Sequence, residues 1–219
     1  MSEVFTMSLI PITRETLPLS LLSKGQGHKY DHGHALVLTG GAGRTGAARL
    51  AARAALRSGA GAVTLGVPPA AQFEVACQIT ALMLTRVRDA EGLQQVLMDD
   101  RISAMCLGPG LGLEEKHAAL VATAIQSGKA CVLDADALTL MAQNAGAMPP
   151  LAPHHVLTPH GGEFARLFPD IAASDASKSD QCRQAAQQSG PCMTHQARVR
   201  CRGSRRLGRA MCWQVSSRG

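Results

Sequence analysis

Four short segments of this chain carry the residue types from which chemistry is built: GGAGRTG from Gly40 to Gly46, GPGLG from Gly108 to Gly112, DADA from Asp134 to Ala137, and TPHGGE from Thr158 to Glu163. In the first, Gly41, Gly43 and Gly46 leave backbone N–H groups unscreened where a helix begins. The positive end of a helix dipole suits an anion, most simply a phosphate. Asp134 and Asp136 offer the hard oxygen ligands that magnesium takes. Asp136 also suits the N-cap of a helix running through Leu140 and Met141, whose first N–H groups need an acceptor. His160, held by Thr158-Pro159 and left open by Gly161, is restrained and accessible, as a ligand-contacting imidazole must be. Glu163 either complements the dipole of a following helix or reaches a magnesium ion indirectly. Capping explains at least Asp136, and no metal site is assigned.

Gly41, Gly43 and Gly46 satisfy the G-x-G-x-x-G spacing of a dinucleotide fingerprint. Such a fingerprint needs an acid about 20 residues on to hold the ribose hydroxyls. Residues 47–73 contain no Asp or Glu, so a hydride-transferring dehydrogenase is a secondary reading. No Lys follows the glycines where a P-loop would place one. A further cluster, His28, Lys29, Asp31, His32 and His34, is expected to be a loop ordered by its own hydrogen bonds rather than a metal site. Its functional alternative is that Lys29 and its neighbours edge a ligand cleft.

These segments must be positioned by something, and the intervening sequence says what. His34 to Thr39 is an apolar run that breaks into the glycine turn, as a buried parallel strand does. Gly46 to Ser58 carries Leu50, Ala54, Ala55 and Leu56 with Arg49, Arg53 and Arg57 on the opposite face, an amphipathic helix closed by Gly59. Strands are predicted at Ala62–Val67, Ala81–Val87, Ile102–Leu107, Ala130–Leu133 and His155–Leu157, with helices at Glu91–Met98, Glu114–Ser127, after Asp136, and from Phe164 to Phe168. The Leu17–Leu22 cluster predicts a short helix on the sheet edge. Strands alternating with helices make a mostly parallel α/β sheet, whose ligands bind at the carboxyl ends of strands. The four segments sit at four such ends and should converge on one cleft.

The chain of 219 residues is long enough for one sizeable core. No apolar run of about 18 residues and no leader-like N-terminus is visible, so a soluble cytoplasmic protein with no membrane partner is expected. Seven cysteines form no C-x-x-C pair, and those before residue 182, namely Cys77, Cys106 and Cys131, read as small buried thiols in a reducing compartment. The net charge of +6 has a local origin. Seven of the 22 basic residues, all Arg, lie after Pro191 with no acid among them; the remaining fifteen stand against 16 acids, a charge of −1. A globular nucleic-acid module would spread its basic residues over a folded face, so no nucleic-acid partner is expected.

Taken together, HKYDHGHALVLTGGAGRTGAARLAARAALRSGAGAVTL, CLGPGLG, VLDADAL and LTPHGGEFARL resemble the ADP- or ATP-dependent (S)-NAD(P)H-hydrate dehydratases, a branch of the ribokinase-like fold. The resemblance covers about residues 28–190, after a lead-in at 1–27, and the ordered set of four motifs is specific where each alone is weak. It implies a metabolite-repair lyase: hydrated NAD(P)H is phosphorylated on its added hydroxyl by ADP or ATP, with Mg2+, and phosphate then leaves to restore NAD(P)H. By motif, Ala47, Gly110 and His160 would contact the hydrated dinucleotide. Gly41, Gly43, Gly46, Asp134, Asp136 and Glu163 would support the cleft. The resemblance is also compatible with a homo-oligomer and with a separate NAD(P)H-hydrate epimerase as partner.

The family continues past TPHGGE with a strand bearing a Lys-Gly pair and then a G-T-G-D loop whose Asp acts on the hydroxyl. Neither motif occurs in residues 191–219, which hold three of the seven cysteines and the only Trp. That change in composition points to an off-frame reading of a GC-rich gene, with a natural basic, disordered tail as the alternative. An incomplete sheet at the C-terminal end, poor stability and little activity are expected. The other readings are a ribokinase-like kinase of a small alcohol and a non-catalytic nucleotide-binding or basic-tail interaction protein.

Overall fold

The computed structural model describes residues 13, 15, 27–190, 192–193, 195–197 and 210–212. Seven strands form one sheet: β1 (His34–Leu38), β2 (Ala62–Val67), β3 (Met83–Arg86), β4 (Ile102–Leu107), β5 (Ala130–Leu133), β6 (His155–Leu157) and β7 (Cys192–Met193). Their order is β3-β2-β1-β4-β5-β6-β7, and every pairing is parallel. The helices are α1 (Gly46–Arg57), α2 (Gln72–Ala76), α3 (Ala90–Leu97), α4 (Glu115–Gln126), α5 (Asp136–Gln143), α6 (Gly161–Leu167), α7 (Pro169–Ala172) and α8 (Lys178–Ser189). A separate antiparallel pair joins β8 (His195–Ala197) to β9 (Ala210–Cys212).

Strand alternation sorts the core into two layers. Leu36 and Leu38 enter one cluster with Leu93, Met105, Leu107, Val121, Leu133 and Leu138, so α3, α4 and α5 cover that face. Val37 enters the other with Ala48, Ala52, Val63, Leu65 and Val67, so α1 covers the opposite face. Both sides of β2 are buried along its whole length, as a near-continuous apolar run requires.

Several details differ from the sequence reading. The buried side of α1 is Ala48 and Ala52, and Leu50 stands 69% exposed, because two small residues one turn apart let the helix lie closer to the sheet than leucine would allow. The strand predicted from Ala81 begins at Met83, since Ala81 has φ 60°, which no extended strand has. Cys77 is exposed, whereas Cys131 and Cys182 are buried and Cys106 partly so. Burial pushes the Cys131 thiol up to about 12 and those of Cys106 and Cys182 up to about 11. Helices α2, α7 and α8 and the strands β7, β8 and β9 go beyond the sequence reading; strands of two or three residues are too short to show a period. The Leu17–Leu22 segment lies outside the described residues.

Candidate functional site

All seven strands point the same way, so the loops that follow β1, β4, β5 and β6 emerge on one edge of the sheet. The strand order reverses between β1 and β4, and the glycine turn and GPGLG flank that reversal. The two loops touch: a methyl group at Gly40 would lie 1.8 Å from the Gly110 carbonyl oxygen. The third joins them in the same manner, a methyl at Gly108 falling 1.7 Å from the Asp134 carbonyl oxygen. Asp136 Oδ2 accepts the Gly112 N–H at 2.8 Å, which fastens α5 to the GPGLG loop. The fourth loop is tied in through Thr158, whose N–H and hydroxyl donate to the Leu133 carbonyl at 3.1 and 3.3 Å.

The glycine turn is not the open phosphate cradle that its sequence suggests. Glu74, on α2, reaches across so that Oε2 accepts the Gly43 N–H at 2.7 Å and Oε1 accepts the Thr45 hydroxyl at 2.5 Å. The hydroxyl and the N–H, with Arg49 adding attraction, hold this carboxyl below the usual glutamate range. Thr45, fully buried, therefore makes no side-chain cap for α1. Ala47 lies exposed in the first turn of that helix. Sequence reasoning missed Glu74 because it lies 31 residues from Gly43 and belongs to no motif.

Asp136 is not the N-cap of α5 but its first residue, its carboxylate being drawn to Gly112 instead. The cap position falls to Ala135 at φ 47°, and Asp134 Oδ1 accepts the Ala135 N–H at 2.9 Å. His160 is the N-cap of α6, which begins three residues earlier than the predicted Phe164. Its Nδ1 accepts the N–H groups of Gly162 and Glu163 at 3.0 and 3.3 Å, and Glu163 Oε2 accepts the His160 N–H at 2.8 Å. With Nδ1 an acceptor, the proton sits on Nε2, 3.2 Å from Glu163 Oε1. The imidazole is still half exposed and presents its ring to the loop edge. Glu163 is buried and completes a capping box at the start of α6. The polar cluster before β1 orders itself likewise: His28 and Asp31 form a capping box around a single 3-10 turn.

Beside the contact between the glycine turn and GPGLG lies a cleft of about 520 Å³. Leu38, Val87, Leu111 and Leu120 give it an apolar floor, and Arg44, Arg88, Lys116 and His117 line it. His117 packs on Gly112, where a methyl would come 2.9 Å from its Cε1, and burial holds the imidazole below its usual range.

The sequence model of the NAD(P)H-hydrate dehydratase family matches residues 35–194, which hold all four loops and β1 through β7. The chain belongs to that family. The NAD(P)H-hydrate dehydratase match runs past Gly190 and so takes in β7. A bifunctional NAD(P)H-hydrate repair enzyme from Synechocystis is 38% identical over 172 residues, 74% of this chain and 31% of the relative. An ADP-dependent (S)-NAD(P)H-hydrate dehydratase from Lactiplantibacillus plantarum is 30% identical over 161 residues, 72% of this chain and 56% of the relative. The chain thus spans about a third to just over half the length of these curated relatives. A ribokinase-like superfamily protein from Enterococcus faecalis superposes with a TM-score of 0.69 at 19% identity over 83% of this chain and 66% of the other. An ADP/ATP-dependent NAD(P)H-hydrate dehydratase from Bacillus subtilis, co-crystallised with ATP and Mg2+, superposes with a TM-score of 0.63 at 24% identity over 80% and 62%. The fold is ribokinase-like. Among the described residues no helix is long and apolar enough to cross a membrane.

Proposed function

We propose that this domain serves the dehydration of the S epimer of hydrated NAD(P)H at the expense of ADP or ATP, with Ala47, Gly110 and His160 contacting the hydrated dinucleotide. The observation that carries the reading is the meeting of the four family loops on one sheet edge, with Gly40 seated on Gly110 and Gly108 on Asp134. In that reaction the ring hydroxyl attacks the terminal phosphorus of the nucleotide and gives up its proton, and the nucleotide leaves one phosphate shorter. The C–O bond then breaks, phosphate departs with the bonding pair, and loss of a ring proton restores the double bond of NAD(P)H.

What this chain supplies is placement. The first turn of α1 presents Ala47 without a side-chain cap, Gly110 lets the substrate approach the backbone, and the half-exposed His160 imidazole at the start of α6 would meet it. Among the described residues no group of three or more His, Cys, Asp or Glu side chains is placed to hold a metal. Mg2+ would therefore enter on the nucleotide phosphates and water, as it commonly does, and no step is assigned to it here. The proton acceptor that the resemblance places in a G-T-G-D loop has no counterpart in these 219 residues. A homo-oligomer and a separate epimerase that supplies the S form complete the proposal.

The test is equilibrium binding of hydrated NADH and hydrated NADPH to the full chain. Both hydrates should bind, and Gly110→Gln and His160→Ala should each weaken them by roughly tenfold, the loss of one or two good contacts. Hydrates that fail to bind the unaltered protein sink the proposal.

A further inference from the structure

The cleft beside the glycine turn is lined by none of Ala47, Gly110 and His160, although Leu111 and Gly41 connect it to them. Its size lies within the range of small-molecule sites. Its charge is lopsided. Two acids line it, and both are already engaged: Asp89 Oδ1 caps α3 by accepting the Gly92 N–H at 2.9 Å, and Glu114 pairs with Lys116 at 2.6 Å. Arg44 and Arg88 are exposed, and among the described residues neither guanidinium group has a hydrogen bond or ion pair, Arg44 adding only a weak attraction to Glu114. Two guanidinium groups left over in an apolar-floored cleft match a planar, multidentate anion, which for Arg means carboxylate or phosphate. The glycine turn cannot take that anion at Gly43, because Glu74 already holds its N–H.

We propose that this cleft is the subsite for a phosphate group of the dinucleotide, held by Arg44 and Arg88. The inference rests on the dinucleotide reading above and adds where the substrate's charge is recognised. Arg44 belongs to the same turn as the Ala47 contact, and its carbonyl oxygen would lie 2.7 Å from a methyl at Gly110. A substrate touching Ala47 and Gly110 therefore extends into the cleft without a gap. The phosphate is either the pyrophosphate bridge, common to both dinucleotides, or the ribose phosphate that NADPH alone carries.

The experiment measures dissociation constants of the full chain and of its Arg44→Ala, Arg88→Ala and Arg53→Ala variants for hydrated NADH, hydrated NADPH and ADP. Arg44 and Arg88 are exposed, so removing them leaves the core intact. Each of the two should weaken a dinucleotide by roughly tenfold, the loss of one charge-assisted contact. Arg53→Ala, on the outer face of α1, should change nothing, ADP should be unaffected throughout, and Arg44→Lys should recover part of the loss. Equal weakening of both dinucleotides assigns the pyrophosphate; greater weakening of the NADPH form assigns the ribose phosphate. Unchanged dinucleotide affinity in both variants overturns the subsite and leaves the proposed function standing, as does weakening confined to ADP. A parent protein that binds neither hydrate overturns both.

Discussion

Ala135 is held where an alanine does not go of its own accord. Its φ of 47° and ψ of −116° suit glycine, and the conformation survives because Asp134 accepts the Ala135 N–H on one side and α5 begins on the other. Ala135→Gly should release about 1–3 kcal/mol of strain and return about 0.4–1 kcal/mol through a freer unfolded chain. A net gain of about 1 kcal/mol in urea unfolding is expected; a loss would show that the alanine methyl packs usefully there. Glu74 is the second residue whose environment predicts a measurement. Its carboxyl titrates below the ordinary value of about 4.3, because the Thr45 hydroxyl and the Gly43 N–H favour the ionised form. A depressed carboxyl stabilises the fold above its unfolded value and loses that contribution as pH falls through its folded one. Glu74→Gln should lower the melting temperature at pH 7, and the gap to the parent should close progressively as pH falls below the ordinary carboxyl value of about 4.3. A gap that stays constant with pH would mean that the ionic character of these bonds contributes nothing.

The elements meet at glycines. β4 hands the chain to GPGLG, and Gly108 lies so close under Asp134 that the turn after β4 and the turn after β5 share one contact surface. Its φ of 131° is also open only to glycine. Gly108→Ala should therefore push two loops apart and cost roughly 3 kcal/mol or more, read as a lower denaturation midpoint together with weaker hydrate binding. Retained stability would show that the loops can part without strain. How much of this was legible follows from range. The strands β2, β4, β5 and β6 match their apolar runs residue for residue; β2 is buried on both faces, and the others keep every second or third residue buried. The glycine turns and their place at strand ends were equally local. Glu74 on the turn, the recruitment of Asp136 by Gly112 and the outward Leu50 were not, because each depends on a partner far along the chain. No period or motif reports a contact of that kind.

At the scale of the whole molecule, the residues that bind and those that react are unevenly provided. The sheet is well built from β3 to β6, Leu157 and Met193 are buried on its later side, and β7 pairs with β6 through two residues. The large apolar side chains most exposed among the described residues, Leu50, Phe73, Met98 and Leu113, belong instead to the α1, α2, α3 and α4 regions. Beyond β7 stand seven Arg and no acid, with neither a Lys-Gly pair nor G-T-G-D. The proposed binding groups, without the proton acceptor that the resemblance implies, predict a 219-residue polypeptide that holds hydrated NAD(P)H and does not convert it. The 219-residue polypeptide, given hydrated NADH and ADP, should restore the near-ultraviolet absorbance of NADH at least roughly a thousandfold more slowly than the Lactiplantibacillus plantarum relative, the scale of losing a key transition-state group. A chimaera that keeps residues 1–190 and takes the remainder from that relative should recover most of the rate, since the loops proposed to place the dinucleotide all precede Gly190. Turnover by the unaltered polypeptide at an ordinary rate would show that some residue before Gly190 takes the proton, and would move the search for the base to Asp134 and His160.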